Sequence, residues 1–178
     1  MPKTDLDSAS FVEEICRQKS PEAAFTALMP ALGERLECDR IFLYLRNPQQ
    51  RMGRVPFHWR RNPSIPEVYD PDWKAEPSGL TAEDPMFRAA VETRPSIFVE
   101  DVETASPDIL NRDFEAKTFG HRALIHAHLC QENQLWGILQ PAVFGQPRHW
   151  SEADRSVIQT TIVRITPLAV EYVLHHHP

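Results

Sequence analysis

The sequence predicts an α/β protein of the α+β type, in which helices flank a central antiparallel sheet of five to six strands. Two strand–turn–strand patterns indicate hairpins, one beginning at Arg40 and the other turning at Glu132-Asn133. Apolar stripes at helical spacing occur near both ends of the chain. We expect the terminal helices to cover one face of the sheet, and loops and short helices to cover the other.

Composition indicates one domain over residues 1–178, since 178 residues suffice for a single core. Apolar residues at 42% and charged residues at 25% argue against disorder. The net charge of −6 argues against nucleic-acid and acidic-membrane binding. Cys16, Cys38 and Cys130 match neither a zinc site nor a disulfide framework, which predicts a reducing, cytoplasmic location. We see no secretory signal and no apolar run of about 18–20 residues, and we therefore expect no membrane insertion.

The helices near the ends of the chain have recognisable start signals. Ser20 is a predicted N-cap with Pro21 at the first helical position, and Pro30 is expected to kink the helix that follows. Ser151 is predicted to cap a long final helix, with Asp154 completing a capping box. A further helix ahead of Ser20 is indicated by the apolar stripe of Phe11, Val12, Ile15 and Cys16.

The first hairpin and the segment after it supply the middle of the fold. Residues 40–45 alternate apolar side chains on both faces, and a second strand follows over about 53–60. The proline-rich stretch from Asn62 to Gly79 lacks periodicity and is interpreted as a loop. Asp84-Pro85 is predicted to open one short helix, and Ser106-Pro107 to open another that ends at Gly120.

Three segments resemble the GAF family. They are the start of the first strand at Cys38-Asp39-Arg40-Ile41-Phe42-Leu43-Tyr44, the last hairpin at Asn133-Gln134-Leu135-Trp136-Gly137-Ile138-Leu139, and the closing Pro147-Arg148-His149-Trp150-Ser151-Glu152. The resemblance covers about residues 11–174. The Leu-Trp-Gly and Pro-Arg-x-Trp segments are similar to the cyanobacteriochrome and phytochrome branch, and this branch implies a cyanobacterial or related photosynthetic lineage.

The resemblance implies a pocket in which that branch attaches a linear tetrapyrrole through a Cys-His pair. Here the pair falls at Leu110-Asn111. The second family cysteine falls at Met86, beside Phe87, and a chromophore-contacting histidine falls near Ala142. A thioether bond requires a thiolate, so we expect no covalently bound tetrapyrrole.

His126 and His128 lie two residues apart on a predicted strand and therefore share one face. They are candidates for polar contacts with a ligand or for two ligands of a metal. The alternative is a pair of hydrogen-bonded histidines packed beneath a loop. We favour the alternative, because zinc needs three or four ligands and no third is evident, and we predict no metal site.

Basic and aromatic side chains add further candidates. Arg54, Arg60 and Arg61 belong to an arginine cluster on the first hairpin that could grip acidic groups, or could simply guard a solvated strand edge. Trp59 and Trp73, together with Phe87, could stack on a planar ligand, although large aromatic residues more often fill a core.

No catalytic motif appears, and we predict that the protein is not an enzyme. A GAF-type reductase of free methionine sulfoxide is a minor alternative. Its chemistry needs thiols in the pocket, and none of the three cysteines lies in the loop or middle helices that are expected to cover the pocket. We expect a stand-alone regulatory or assembly module that acts through protein contacts, as a homodimer through its terminal helices and with an unidentified protein partner. The main alternative is a sensor that binds a small planar molecule, such as a tetrapyrrole, without a covalent bond.

Overall fold

The computed structural model describes the backbone of residues 5–177 and the side chains of residues 9–177. Helices and strands follow one another in the order helix, helix, three strands, two short helices, strand, short helix, two strands and helix. Their bounds are α1 Asp5–Cys16, α2 Pro21–Arg35, β1 Arg40–Asn47, β2 Met52–Arg60, β3 Asp70–Ala75, α3 Leu80–Glu83, α4 Pro85–Val91, β4 Ile97–Val99, α5 Arg112–Thr118, β5 Ala123–Gln131, β6 Gln134–Val143 and α6 Glu152–His175.

The strands form one six-stranded sheet in the order β3-β2-β1-β6-β5-β4, and all neighbouring strands are antiparallel. The predicted α+β architecture is therefore confirmed. The turn between β5 and β6 uses Glu132 and Asn133, whose φ angles of 53° and 58° are both left-handed. A two-residue turn of this kind matches the twist of the strands that it joins, which explains why the local signal was readable.

Helices α2 and α6 cover the face of the sheet that carries Ile41, Leu43 and Leu45, which we call the helix face, and α1 packs against α6 and α2. The predicted caps form: Ser20 accepts a hydrogen bond from the Ala23 amide, and the Ser151–Asp154 capping box is complete. The main apolar core lies here. Its largest fully buried members include Phe25, Leu28, Leu32 and Trp150.

Helices α3, α4 and α5 lie over the opposite face, which we call the cavity face. Phe42 and Tyr44 alternate with the helix-face residues of β1 and therefore point to this side. Gly53 on β2 allows the Tyr44 ring to lie flat against the strand. A Cβ at Gly53 would come within 2.1 Å of the Tyr44 hydroxyl oxygen.

Two local predictions were wrong. The stretch from Asn62 to Gly79 contains β3, an edge strand with no apolar alternation that forms three residue pairs with β2. Ser106-Pro107 does not open α5. The Ser106 hydroxyl accepts a hydrogen bond from the Asp108 amide within a turn, and Asn111 caps the helix by accepting one from the Phe114 amide at 3.1 Å.

Helix α6 is long and apolar enough to cross a membrane when judged by length and composition alone. Its apolar character has another physical explanation here. Ile158, Ile165, Ala169 and Val173 are fully buried against the sheet and the other terminal helices. A core helix of a folded domain shows this pattern.

Candidate functional site

A cavity of about 420 Å³ lies between the cavity face and the short helices. Strands β1, β2, β5 and β6 form its floor, β3 and the following loop form one wall, and α3, α4 and α5 form the roof. Small-molecule sites usually measure about 300–1,000 Å³. The cavity therefore suits a ligand at the small end of that range.

Five aromatic rings line the cavity. Phe42 and Phe119 stack with ring centroids 6.0 Å apart and planes 13° apart. Phe114 meets Phe119 edge-on, and Phe87 meets Tyr44 in the same way. The walls consequently offer both ring faces and ring edges to a ligand.

Glu115 on α5 places a buried carboxyl group in the cavity wall. Its side chain is 1% exposed, one oxygen (Oε2) lies 2.6 Å from His121 Nε2, and the other (Oε1) has no hydrogen-bond partner. Burial raises the pKa of Glu115 to about 7, although the nearby Arg40 charge acts in the opposite direction. Burial also lowers the pKa of His121 to about 3, so that ring is neutral at ordinary pH.

Asp84 has both a structural role and a place in the cavity wall. Its Oδ1 accepts hydrogen bonds from the amides of Met86 and Phe87 and so caps α4. No residue with a described side chain bonds its Oδ2. Burial raises the pKa of Asp84 to about 6, against the lowering effect of the hydrogen bond from the Phe87 amide.

His126 and His128 belong to a short chain of hydrogen bonds that begins at the Arg94 carbonyl. The Arg94 carbonyl lies 2.7 Å from His128 Nδ1 and can only accept a hydrogen bond, so Nδ1 carries the proton and Nε2 of a neutral His128 is an acceptor. His126 Nδ1, at 2.8 Å, then donates to that nitrogen. The Nε2 of His126 is left as an acceptor with no partner among the described side chains, and His126 lines the cavity. Burial and the neighbouring His128 both lower the pKa of His126, which keeps the ring neutral.

The floor also contains Gln140 and, behind the wall, Arg40. Gln140 lines the cavity, and its amide nitrogen is buried without a hydrogen-bond partner. Arg40 does not line the cavity. Its guanidinium lies 4.9 Å from the Phe144 ring centroid and 5.8 Å from that of Phe42, and it donates to the Pro66 carbonyl. Two of its nitrogens remain unpartnered.

The remaining charges near the cavity are engaged elsewhere. Lys74 pairs with Asp70 at 2.8 Å, and Glu76 pairs with Arg46. Arg54 donates to the Tyr172 hydroxyl at 2.7 Å and stacks on the Trp73 ring, so its charge is directed toward α6.

Three of the sequence-predicted site residues line the cavity: His126, Phe87 and Arg54. Trp59 and Trp73 do not, because both pack against the main core on the helix face. The Trp59 ring lies over Gly33 of α2, where a Cβ would come within 2.2 Å of it. His128 contacts His126 and does not itself line the cavity.

The other predicted residues are structural in this fold. Met86, Leu110 and Ala142 belong to a small core cluster beside the cavity, and Asn111 caps α5. Two arginines brace loops through backbone carbonyls: Arg60 donates to Ile65, and Arg61 donates to Cys38. Neither arginine lines the cavity.

All three cysteines of the chain lie in the described part, and none lines the cavity. Cys38 is buried on the helix face, where burial raises the pKa of its thiol to about 12. Cys16 and Cys130 are half-buried, and burial raises the pKa of each. Among the described residues, no group of three or more His, Cys, Asp or Glu side chains could hold a metal ion.

Sequence reasoning missed most of the cavity wall, including Glu115, Phe114, Phe119 and Gln140. A signal did exist for Phe42 and Tyr44, because the alternation of β1 placed them together on the face opposite the apolar core. No comparable pattern identifies Glu115, since α5 spans only two turns.

A six-stranded antiparallel sheet with terminal helices on one face and a cavity on the other defines a small α+β domain. The GAF domain family model matches residues 20–165. The chain belongs to the GAF domain family, as the sequence predicted.

Solved structures share this fold at low sequence identity. The phycocyanobilin-bound GAF domain of a cyanobacterial phytochrome is 18% identical with a TM-score of 0.73, and the alignment covers 98% of both chains. The GAF domain of an Acinetobacter phosphoenolpyruvate-protein phosphotransferase is 14% identical with a TM-score of 0.71 over 98% of both chains. Its Coxiella burnetii counterpart is 14% identical with a TM-score of 0.68, covering 96% of this chain and 95% of that one. The search of curated proteins found no match.

Proposed function

We propose that this GAF domain is a sensor that binds a small molecule reversibly in the cavity. The observation that carries the proposal is an open, aromatic-walled cavity whose wall contains a 1%-exposed carboxyl group with an unpartnered oxygen. A buried polar atom without a partner costs folding free energy, and a ligand that bonds it recovers that cost. The sequence favoured a module that acts through protein contacts, and the open cavity supports the sensor, which was the main alternative.

Reversible binding is part of the proposal because no thiol lines the cavity. The cyanobacterial phytochrome neighbour binds phycocyanobilin. A tetrapyrrole in this chain would have no sulfur in the cavity to attack and would be held by non-covalent contacts alone. The same absence of cavity thiols weighs against a methionine sulfoxide reductase, and we include no catalytic activity in the proposal.

We infer that occupancy is passed on through protein contacts, with the terminal helices forming a homodimer. Two exposed apolar side chains on α6 support this part, Val163 at 70% and Leu174 at 53% exposure. Apolar side chains on an exposed helix face favour burial against a partner. We place the protein in the cytoplasm, because the spacing of its three cysteines matches no disulfide framework, and leave the identity of any further protein partner to experiment.

The test is to identify what the purified protein carries. The wild-type protein is expressed, purified natively and denatured, and the released small molecules are analysed by mass spectrometry together with an absorbance scan. We expect a molecule that is present with wild type and lost in Leu80→Trp, which places a bulky ring in the cavity wall. Ile109→Trp, at a 43%-exposed position outside the cavity, is the matched control.

The outcomes separate the alternatives. A visible absorbance that disappears on denaturing gel electrophoresis supports a non-covalent tetrapyrrole, whereas a pigment that stays with the chain contradicts reversible binding. The same molecules recovered from wild type and Leu80→Trp would argue against the cavity as the binding site.

For the dimer, Val163→Asp is expected to halve the mass measured by light scattering, while Ile109→Asp leaves it unchanged.

A further inference from the structure

We propose that the cavity selects an organic cation, namely a protonated amine or amidine with a small apolar or aromatic body. This inference rests on the proposed sensor function and names the class of its ligand. It follows from the charges that line the cavity, the aromatic walls and the direction of the open hydrogen-bonding positions.

The first step is the balance of charge. Seven charged side chains line the cavity: Arg54, Asp70, Lys74, Glu76, Glu83, Asp84 and Glu115. Lys74 and Asp70 neutralise each other, and Glu76 is paired with Arg46. Arg54 keeps its positive charge, because its guanidinium donates to the neutral Tyr172 hydroxyl. The carboxyl groups of Glu83 and Asp84 have no basic partner among the described residues, and Glu115 has only His121, whose lowered pKa keeps the ring neutral. Arg40 offsets part of the Glu115 charge from behind Phe42, and the balance stays negative.

The second step is the wall. Phe42, Tyr44, Phe87, Phe114 and Phe119 surround the cavity with ring faces and edges. A cation is attracted to an aromatic face by about 0.5–2 kcal/mol, with the larger value applying when water is excluded. Aromatic rings beside carboxylates are a combination that recognises ammonium groups. A propionate or phosphate would meet an excess of acidic groups, and the one cation without an acidic partner in the lining, Arg54, is directed toward Tyr172.

The third step is the direction of hydrogen bonding. Glu115 Oε1 is an acceptor without a partner in a side chain that is 1% exposed. The chain of hydrogen bonds from the Arg94 carbonyl through His128 fixes the proton of His126 on Nδ1, so His126 Nε2 is a second acceptor. Asp84 Oδ2 is a third. Gln140 Nε2 and Arg54 Nε are donors without a partner, and the Tyr44 and Thr118 hydroxyls can serve in either role. A ligand that fits this set donates more hydrogen bonds than it accepts, which is the property of a protonated amine.

The experiment compares molecules that differ only in charge. One set is phenethylamine, phenethyl alcohol and phenylacetate, and a two-ring set is tryptamine, tryptophol and indoleacetate. Affinities are measured by calorimetry on the full chain freed of any resident molecule. We expect the amine of at least one set to bind about tenfold or more tightly than its alcohol and its carboxylate.

Two variants connect the selectivity to named groups. Glu115→Gln keeps a hydrogen-bonding partner for His121 and is expected to weaken amine binding about tenfold while leaving the alcohol unchanged. Asp84→Asn keeps the α4 cap and is expected to act in the same direction. The matched control is Glu103→Gln, on an exposed carboxylate outside the cavity. Thermal unfolding confirms that each variant is folded.

The results distinguish this inference from the sensor proposal. Preference for the carboxylates or alcohols, or equal weakening of all three probes by Glu115→Gln, overturns the cation inference and leaves the sensor standing. The same holds if no probe binds but the native preparation yields an anionic or neutral molecule that Leu80→Trp loses. If no probe binds and no molecule is recovered, both proposals fail.

Discussion

The two faces of the sheet are built on opposite principles. The helix face buries a continuous apolar cluster in which most side chains have no contact with water. The cavity face has two small apolar clusters separated by polar groups. Within the described part of the chain, six buried side-chain atoms lack a hydrogen-bond partner, and five of them belong to cavity-face residues: Arg40, Glu115, His121 and Gln140.

This difference indicates that the helix face stabilises the fold, whereas the cavity face gives up some stability to form the cavity. Each unsatisfied buried polar group costs about 1–3 kcal/mol, so the cavity face weakens the fold at the cavity where we propose that a ligand binds. The helix face must supply the stability that makes this arrangement tolerable. Functional sites in proteins commonly trade stability for binding in this way. Four predictions test the comparison, in decreasing order of expected effect.

The largest effect concerns equivalent rings on the two faces. Phe25 is fully buried against Phe57 and Tyr172, and its replacement by alanine is expected to cost about 3–5 kcal/mol of unfolding free energy. Phe114→Ala, at a half-buried ring beside the existing cavity, should cost about half of that or less. Urea denaturation of both variants measures the difference. Equal losses would contradict the division between the faces.

The second prediction concerns the pH dependence of stability. The folded-state pKa of Glu115, about 7, lies above its ordinary value of 4.5 because the carboxyl is buried. The stability from this group is therefore complete below the ordinary pKa and is lost as the pH rises through about 7. Glu115→Gln should remove this loss, so the variant should melt at a higher temperature than wild type at about pH 8.

The groups that interact with Glu115 are His121, Arg40 and Asp84, and all three are present in wild type and variant. In both proteins the lowered pKa of His121 affects stability in the direction opposite to the raised pKa of Glu115. The stability that His121 contributes is present above its ordinary pKa and is lost as the pH falls. Comparing the two proteins at about pH 5 and pH 8 isolates Glu115. A variant that is less stable than wild type at both values would show that the ionised carboxylate stabilises the fold.

The third prediction couples the same titration to binding. Glu115 and Asp84, with pKa values of about 7 and 6, lose charge as the pH falls, while an aliphatic amine stays protonated. Tryptamine affinity should therefore rise about tenfold, or ~1.4 kcal/mol, between pH 5 and 8. Calorimetry at each pH measures this, and Glu115→Gln should flatten the slope. An affinity that falls with rising pH would contradict the cation proposal.

The smallest effects concern the helix caps. Ser151→Ala removes the capping box of α6 on the helix face and should cost about 1 kcal/mol without changing ligand binding. Asp84→Asn leaves the hydrogen bonds to the Met86 and Phe87 amides in place and should change stability by only a few tenths of a kcal/mol. Chemical denaturation measures both changes. A large loss in Asp84→Asn would mean that its charge, and not the cap, holds α4.

Most of the fold could be predicted from local sequence signals. The caps at Ser20 and Ser151, the turn at Glu132-Asn133 and the alternation of β1 each depend on neighbours within a few residues. The edge strand β3 escaped prediction because an exposed edge does not require apolar alternation.

The site was harder to predict because it depends on register and on distant contacts. Trp59 pairs with Ile41 across the first hairpin, and directly paired residues share a face, so Trp59 points to the helix face. That pairing cannot be read from the composition of either strand. Glu115 reaches the cavity only because α5 begins at Asn111 and the chain returns at His121 to meet it.

For the ligand binding that we propose, the position of β3 at the sheet edge would set the rates at which a molecule enters and leaves the cavity. This strand walls the cavity yet is joined to β2 through only three residue pairs. Transient fraying of these pairs would open the wall while the helices behind the sheet stay packed, since opening free energies differ between parts of one domain. Amide hydrogens of β3 should exchange with deuterium far sooner than those of β1, and an occupant that bridges β3 to α5 should slow them selectively.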